Sequence, residues 1–241
     1  MSLVEIVKWR GGYCGASVRI KYFFLISWLL LMVGPVRAQQ EPYLTWSASQ
    51  AEQIGKSMRA NGTVGGAFDF RVIHMEHSYN YKLRATLLTP EVIRGAARLE
   101  QLRLRLTDEQ TRALVEEAES AAQMVILVEI DPREGSGVIP LDWRAVIQPK
   151  GLKDGQPGPI VGISDPKLKG VKALAGVARR DYSYDIFWVV FPLIGQGGER
   201  LIPDAVREIE LLVGIYNKQG KVGWVVPDSI RSRARDLAQH Q

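Results

Sequence analysis

The chain has 241 residues, with 31 basic and 26 acidic side chains, a formal net charge of +5, three histidines and one cysteine. Five of the basic residues and one acid lie within residues 1–38, so residues 39–241 carry 26 basic against 25 acidic groups and no cysteine. That near-neutral balance excludes a nucleic-acid reading built on basicity. The missing thiols exclude disulfides, thiolate metal ligands and a cysteine nucleophile from the same stretch.

The first predicted element is an export leader. Lys8, Arg10, Arg19 and Lys21 precede an apolar run from Tyr22 to Val33 in which only Ser27 is strongly polar. Gly34-Pro35 then breaks a helix, and Val36-Arg37-Ala38 supplies the small residue before a peptidase cut. The run falls short of the roughly 20 apolar residues that span a bilayer. Residues 1–38 are therefore expected to be a secretory signal peptide, retention as a membrane anchor being the alternative. Cys14 precedes the apolar run rather than following it, which does not fit lipidation. Residues 39–241 are expected to form a single exported globular domain, periplasmic or extracellular, that meets the membrane only during export.

Beyond the leader, Ser47 or Ser49 to Ala60 has helical spacing, with Ala51, Ile54 and Met58 on one face; Asn61-Gly62 reads as its stop and the start of a turn. Alternation predicts strands over Phe68 to Met75 and Tyr79 to Leu88. Thr89-Pro90-Glu91 opens a helix, since threonine can cap, proline costs nothing at the first helical position and glutamate suits the positive end. Leu102, Leu104 and Leu106 alternate briefly, and Thr107 to Gln110 reads as a capping box that starts a second helix. Residues 89–122 thus form a two-helix insertion.

Met124 to Ile130 is an apolar, β-branched run with Glu129 its one charge, ended by Asp131-Pro132, and reads as a central strand packed on both faces. Val138 to Leu141 and Trp143 to Ile147 are expected to return across the sheet, with a bend at Pro140. Recurrent glycine and proline make residues 148–170 a long loop, into which Ile160, Val161 and Ile163 could tuck a short strand. Val171 to Val177 is ambiguous. Tyr182 to Phe191 and Val206 to Tyr216 alternate as strands, Asn217 to Gly220 supplies a hairpin loop into Lys221 to Val226, and Pro227-Asp228-Ser229 starts a short C-terminal helix resting on Ile230, Ala234 and Leu237. The fold class expected is mainly β with α insertions: an antiparallel β-sandwich or a strongly curled sheet.

Few residues carry chemistry. His74, Glu76 and His77 resemble half of a zinc-hydrolase motif, but the histidines are three apart on a predicted strand, where one faces away from the other two. Asp131, Glu134 and Asp142 flank one expected hairpin and are the candidate carboxylates for hydrolysis, against solvated turn residues as the plain alternative. Tyr182, Tyr184 and Trp188 could line a binding groove or pack a sheet face. No cofactor is expected. Two functions follow: an exported noncatalytic domain that binds a protein or cell-envelope component, or a carboxylate-dependent hydrolase acting on an envelope or extracellular polymer.

Overall fold

The computed structural model describes residues 41–65, 81–132, 139–151, 158–177 and 184–240. A 3-10 turn at Pro42–Thr45 leads into helix α1, Ala48–Ser57. Ser47 starts that helix with a capping box: its hydroxyl accepts from Gln50 N at 3.2 Å while Gln50 Oε1 accepts from Ser47 N at 2.8 Å. Strands β1 (Arg59–Val64) and β2 (Tyr81–Leu87) pair antiparallel, and helices α2 (Pro90–Leu104) and α3 (Asp108–Ala121) follow. Then come β3 (Met124–Pro132), β4 (Arg144–Pro149), the two-residue strands β5 (Ile160–Val161) and β6 (Ile163–Ser164), and 3-10 turns at Pro166–Gly170 and Lys172–Ala175. Strands β7 (Asp185–Phe191), β8 (Glu208–Ile215) and β9 (Lys218–Val225) precede helix α4, Asp228–Gln239.

Among the described residues the strands form two antiparallel sheets with four helices. The first sheet has the order β1-β2-β3-β7-β6 and the second β5-β4-β8-β9. Neither sheet closes on itself, so the strongly curled single sheet has no support. The strand face bearing Leu83, Ile126, Val128, Val189 and Phe191 belongs to one apolar cluster with Ile147, Ile209, Leu211 and Val213 of the second sheet. The opposite face of the first sheet, bearing Val125, Leu127, Ile186 and Trp188, packs with Val92, Ala96, Val115 and Leu174 of the helices and 3-10 turns. From Met124 to Val128 strand β3 is apolar on both sides for this reason, before Glu129 and Asp131 bring charge to one face.

The edges are handled differently. Residues 160–165 change sheets at Gly162: its N–H donates to Ala145 O in the second sheet at 2.9 Å, and Asp165 N donates to Trp188 O in the first at 2.8 Å. A β-carbon on Gly162 would lie 2.5 Å from both the Phe191 ring and Val189 Cγ1. At the other end, β1 and β9 run so close that a β-carbon on Gly220 would stand 2.6 Å from Thr63 O. These contacts cover part of each strand edge.

The two-helix insertion forms as its caps predict. Thr89 Oγ1 accepts from Val92 N at 3.3 Å with Pro90 at the first helical position, and Thr107 and Gln110 make both capping-box bonds. Arg233 of α4 closes the far end of α3, donating to the carbonyls of Glu119 and, at 2.8 Å, Ala122. A guanidinium suits this site, because it meets carbonyls left without helical partners at the negative end of the helix.

Several expectations are corrected. The first helix ends at Ser57, not Ala60, and Arg59–Val64 is a strand. Asn61-Gly62 signalled a turn, but pairing with β2 and the close pass of β9 outweigh that local preference. Leu102 and Leu104 remain helical, and Arg105 ends α2 in the left-handed region at φ 53°, with Leu106 N donating to Gln101 O at 3.1 Å. Ile139 to Leu141 is not a strand. Residues 148–170 contain the end of β4, two short strands and a 3-10 turn, and the β8–β9 turn is Tyr216-Asn217 rather than Asn217 to Gly220. The strand expected at Phe68 to Met75 lies outside the described residues.

Arg105 offers a direct test of the backbone. It is exposed and makes no ion pair among the described residues, while a left-handed conformation costs a residue with a β-carbon roughly 1–2 kcal/mol. Arg105→Gly should therefore raise stability by about 1 kcal/mol, read as a higher urea midpoint.

Candidate functional site

The sequence-derived candidates fall in different places. Asp131 sits near the end of β3, 7% exposed, with its carboxylate 3.3 Å from Lys82 Nζ on the neighbouring strand. Asp142 is an exposed residue just before β4, which belongs to the other sheet. Glu134, Tyr182, His74, Glu76 and His77 lie outside the described residues. Among the described residues no cluster of three histidine, cysteine or acidic groups could hold a metal ion.

Tyr184 and Trp188 have separate roles. The Arg84 guanidinium stands 4.5 Å above the Tyr184 ring centre and 3.6 Å from Glu129, which is 2% exposed. Buried charge of this kind persists where opposite charge accompanies it; Arg59, close enough to feel both Glu129 and Arg84, is pushed below the usual arginine range chiefly by burial. Trp188 is 6% exposed and its indole N–H donates to Leu174 O at 2.9 Å. It is part of the helix-side core, the packing role weighed against a groove.

One open feature among the described residues is the outward face of the second sheet. Its inward positions, Ile147, Ile209, Leu211, Val213, Val222 and Trp224, are buried. The alternate positions therefore point away from the core, and among the described residues no helix lies over them. Register places Val161, Val146, Leu212 and Lys221 in one cross-strand row. The next row is Gln148, Glu210 and Gly223, with Gln148 Nε2 donating to Glu210 Oε1 at 2.8 Å. Beyond it, Lys150 Nζ is 2.6 Å from Glu208 Oε2, and Val225 lies opposite Glu208. The hydrogen bond and the charge of Glu208 hold Lys150 above the ordinary lysine pKa.

Val161 is 63% exposed and Val225 70%. Gly223 contributes no side chain, and two shallow depressions of about 500 and 400 Å3 adjoin the Lys150–Glu208 pair. The face is thus an apolar row closed by Lys221, followed by the Gln148–Glu210 hydrogen bond and then the Lys150–Glu208 ion pair. Sequence reasoning had the alternation of Glu208, Glu210 and Leu212 in hand; what it lacked was any sign that this side of the sheet would be left uncovered, since helices on the other sheet are decided by chain connectivity.

No family model matches the chain, and no curated protein sequence matches it. A crystal structure described as a novel protein of unknown function from Burkholderia pseudomallei K96243 is similar over 79% of this chain and 87% of that one, with 12% sequence identity and a TM-score of 0.38.

Proposed function

We propose that this is an exported, noncatalytic β-sandwich domain that binds a protein of the cell envelope through the outward face of its second sheet. The observation that carries the reading is the outward row of half-buried Val146 and Leu212 ending in exposed Val161, with Lys221 at its other end and exposed Val225 two rows further along, beside the Lys150–Glu208 pair. An apolar centre with a polar rim is the usual composition of a protein-binding patch. Export rests on the leader at residues 1–38, and the sandwich on the shared apolar cluster between the sheets.

The test is site-specific photo-crosslinking in the native host. A photoreactive residue at Val225 should give one repeatable adduct, and adding Leu212→Arg should reduce its yield at least about tenfold, the loss expected when a charge enters an apolar contact. The same probe at Arg103, on the helix side, should not give that adduct. Adducts of equal yield from both positions, or an adduct indifferent to Leu212→Arg, would remove the face from the reading.

A further inference from the structure

A separate cleft lies between the amino-terminal 3-10 turn and helices α2 and α3. It has a volume of about 520 Å3, within the range of small-molecule sites. Tyr43 comes from the turn, Arg94 from α2, and Arg112, Glu116 and Glu119 from α3. Arg112 and Glu116 are four residues apart and Glu119 three further on, so one face of α3 supplies all three.

Buried polar atoms normally have hydrogen-bond partners. Here two such atoms lack one among the described residues, Arg94 Nε and Glu119 Oε1, while the Tyr43 hydroxyl faces the Glu41 carboxylate. Tyr43 is 2% exposed. The ion pairs that do form are loose, with Arg94 Nη2 at 3.4 Å from Glu119 Oε1 and Arg112 Nη1 at 3.6 Å from Glu109 Oε1. Arg112 pairs backward along its helix, and Glu116 is left without an ion pair among the described residues. Burial, the charge of the Glu41 carboxylate and a hydrogen bond to it push the Tyr43 hydroxyl up to about 12, opposed by the charges of Arg112 and Arg94. The phenol therefore remains a donor, with both guanidiniums close enough to act on the same oxygen.

We propose that this cleft binds a small zwitterion carrying both a carboxylate and an ammonium, as a free amino acid or a short peptide does. Two guanidiniums with unused donors and a buried hydroxyl suit a carboxylate. Glu41 and Glu116 supply the opposite charge for an ammonium. A phosphate dianion fits poorly, because three carboxylates line the same space; a simple cation fits poorly because of the two arginines. The inference is independent of the sheet face.

Titration calorimetry of the full chain with L-alanine, glycylglycine, sodium acetate, ethylammonium chloride and inorganic phosphate tests it. One of the two zwitterions should bind at least about tenfold tighter than acetate, ethylammonium or phosphate, and the tighter of the two identifies a free amino acid or a peptide as the source. Arg112→Gln and Glu116→Gln should each weaken that binding about tenfold, the scale of one charge-assisted contact. Both side chains lie on the cleft surface, so neither change opens the core. Acetate or phosphate binding as tightly as the zwitterions, affinity unchanged in both variants, or no heat at tens of millimolar ligand would overturn it.

Discussion

Gly220→Ala should cost the protein about 3 kcal/mol, the upper end of what overpacking usually costs. The new β-carbon would fall 2.6 Å from Thr63 O and 2.9 Å from Val64 Cα. Both are backbone atoms of β1, held in register against β2 by their own ladder, so they cannot swing aside as a long side chain could. Gly162→Ala should cost a similar amount, because Phe191 and Val189, the side chains in the way, are 0% and 1% exposed and have nowhere to go. Gly170→Ala is the control: nothing lies within 4 Å of its added carbon and its φ is not positive, so stability should move by less than about 0.5 kcal/mol. Urea denaturation followed by far-UV circular dichroism separates these outcomes. Equal midpoints for all three variants would mean that the sheet edges do not meet this closely.

Those two glycines also bear on recognition. Gly162 lets one short segment serve as the edge of both sheets, and Gly220 lets β9 pass against β1. Among the described residues no helix lies over the outward side-chain face of the second sheet, the surface the proposed contact uses. Mutating the glycines tests the scaffold, whereas Leu212→Arg tests the proposed contact; a folded Leu212→Arg protein that retains its crosslinked partner would count against the contact alone.

How far the fold was legible depended on the range of the interactions that set it. Thr89-Pro90, the Thr107–Gln110 box and the double-sided apolarity of β3 are local signals, and the corresponding elements form where they point. Arg59–Val64 was opaque because Arg-Ala-Asn-Gly-Thr-Val is polar and turn-like; its pairing with β2 and its pass beside β9 involve residues far along the chain. Trp188 was visible as part of an alternating aromatic face, but alternation identifies two faces without saying which is covered. The same ambiguity hid the open face of β8. The cleft at Tyr43 was harder still, since Tyr43, Arg94 and Arg112 meet only after the amino-terminal turn docks on two helices.

Trp188→Ala should be more damaging than either glycine change, costing about 3–5 kcal/mol. The indole fills space between β7 and the helix-side core, in contact with a cluster that includes Val92, Val115 and Leu127. Removing it leaves a cavity that β7, paired on one side with β3 and on the other with β6, cannot collapse to fill. The Leu174 carbonyl would also lose its donor at 2.9 Å. Leu174 is 0% exposed and belongs to the 3-10 turn Lys172–Ala175, so the lost bond loosens the segment that seals this side of the sheet. Trp188→Phe separates the two contributions: it keeps most of the volume and abandons the carbonyl, and should cost about 1–3 kcal/mol. Denaturation should therefore rank Ala below Phe below the parent protein. Hydrogen exchange should show the amide of Leu174, which donates to Val171 O at 3.0 Å, opening faster in both variants relative to amides in β8 and β9. A Phe variant as stable as the parent would show that the indole acts through its bulk alone, and an Ala variant within about 1 kcal/mol of the parent would contradict a role in the core.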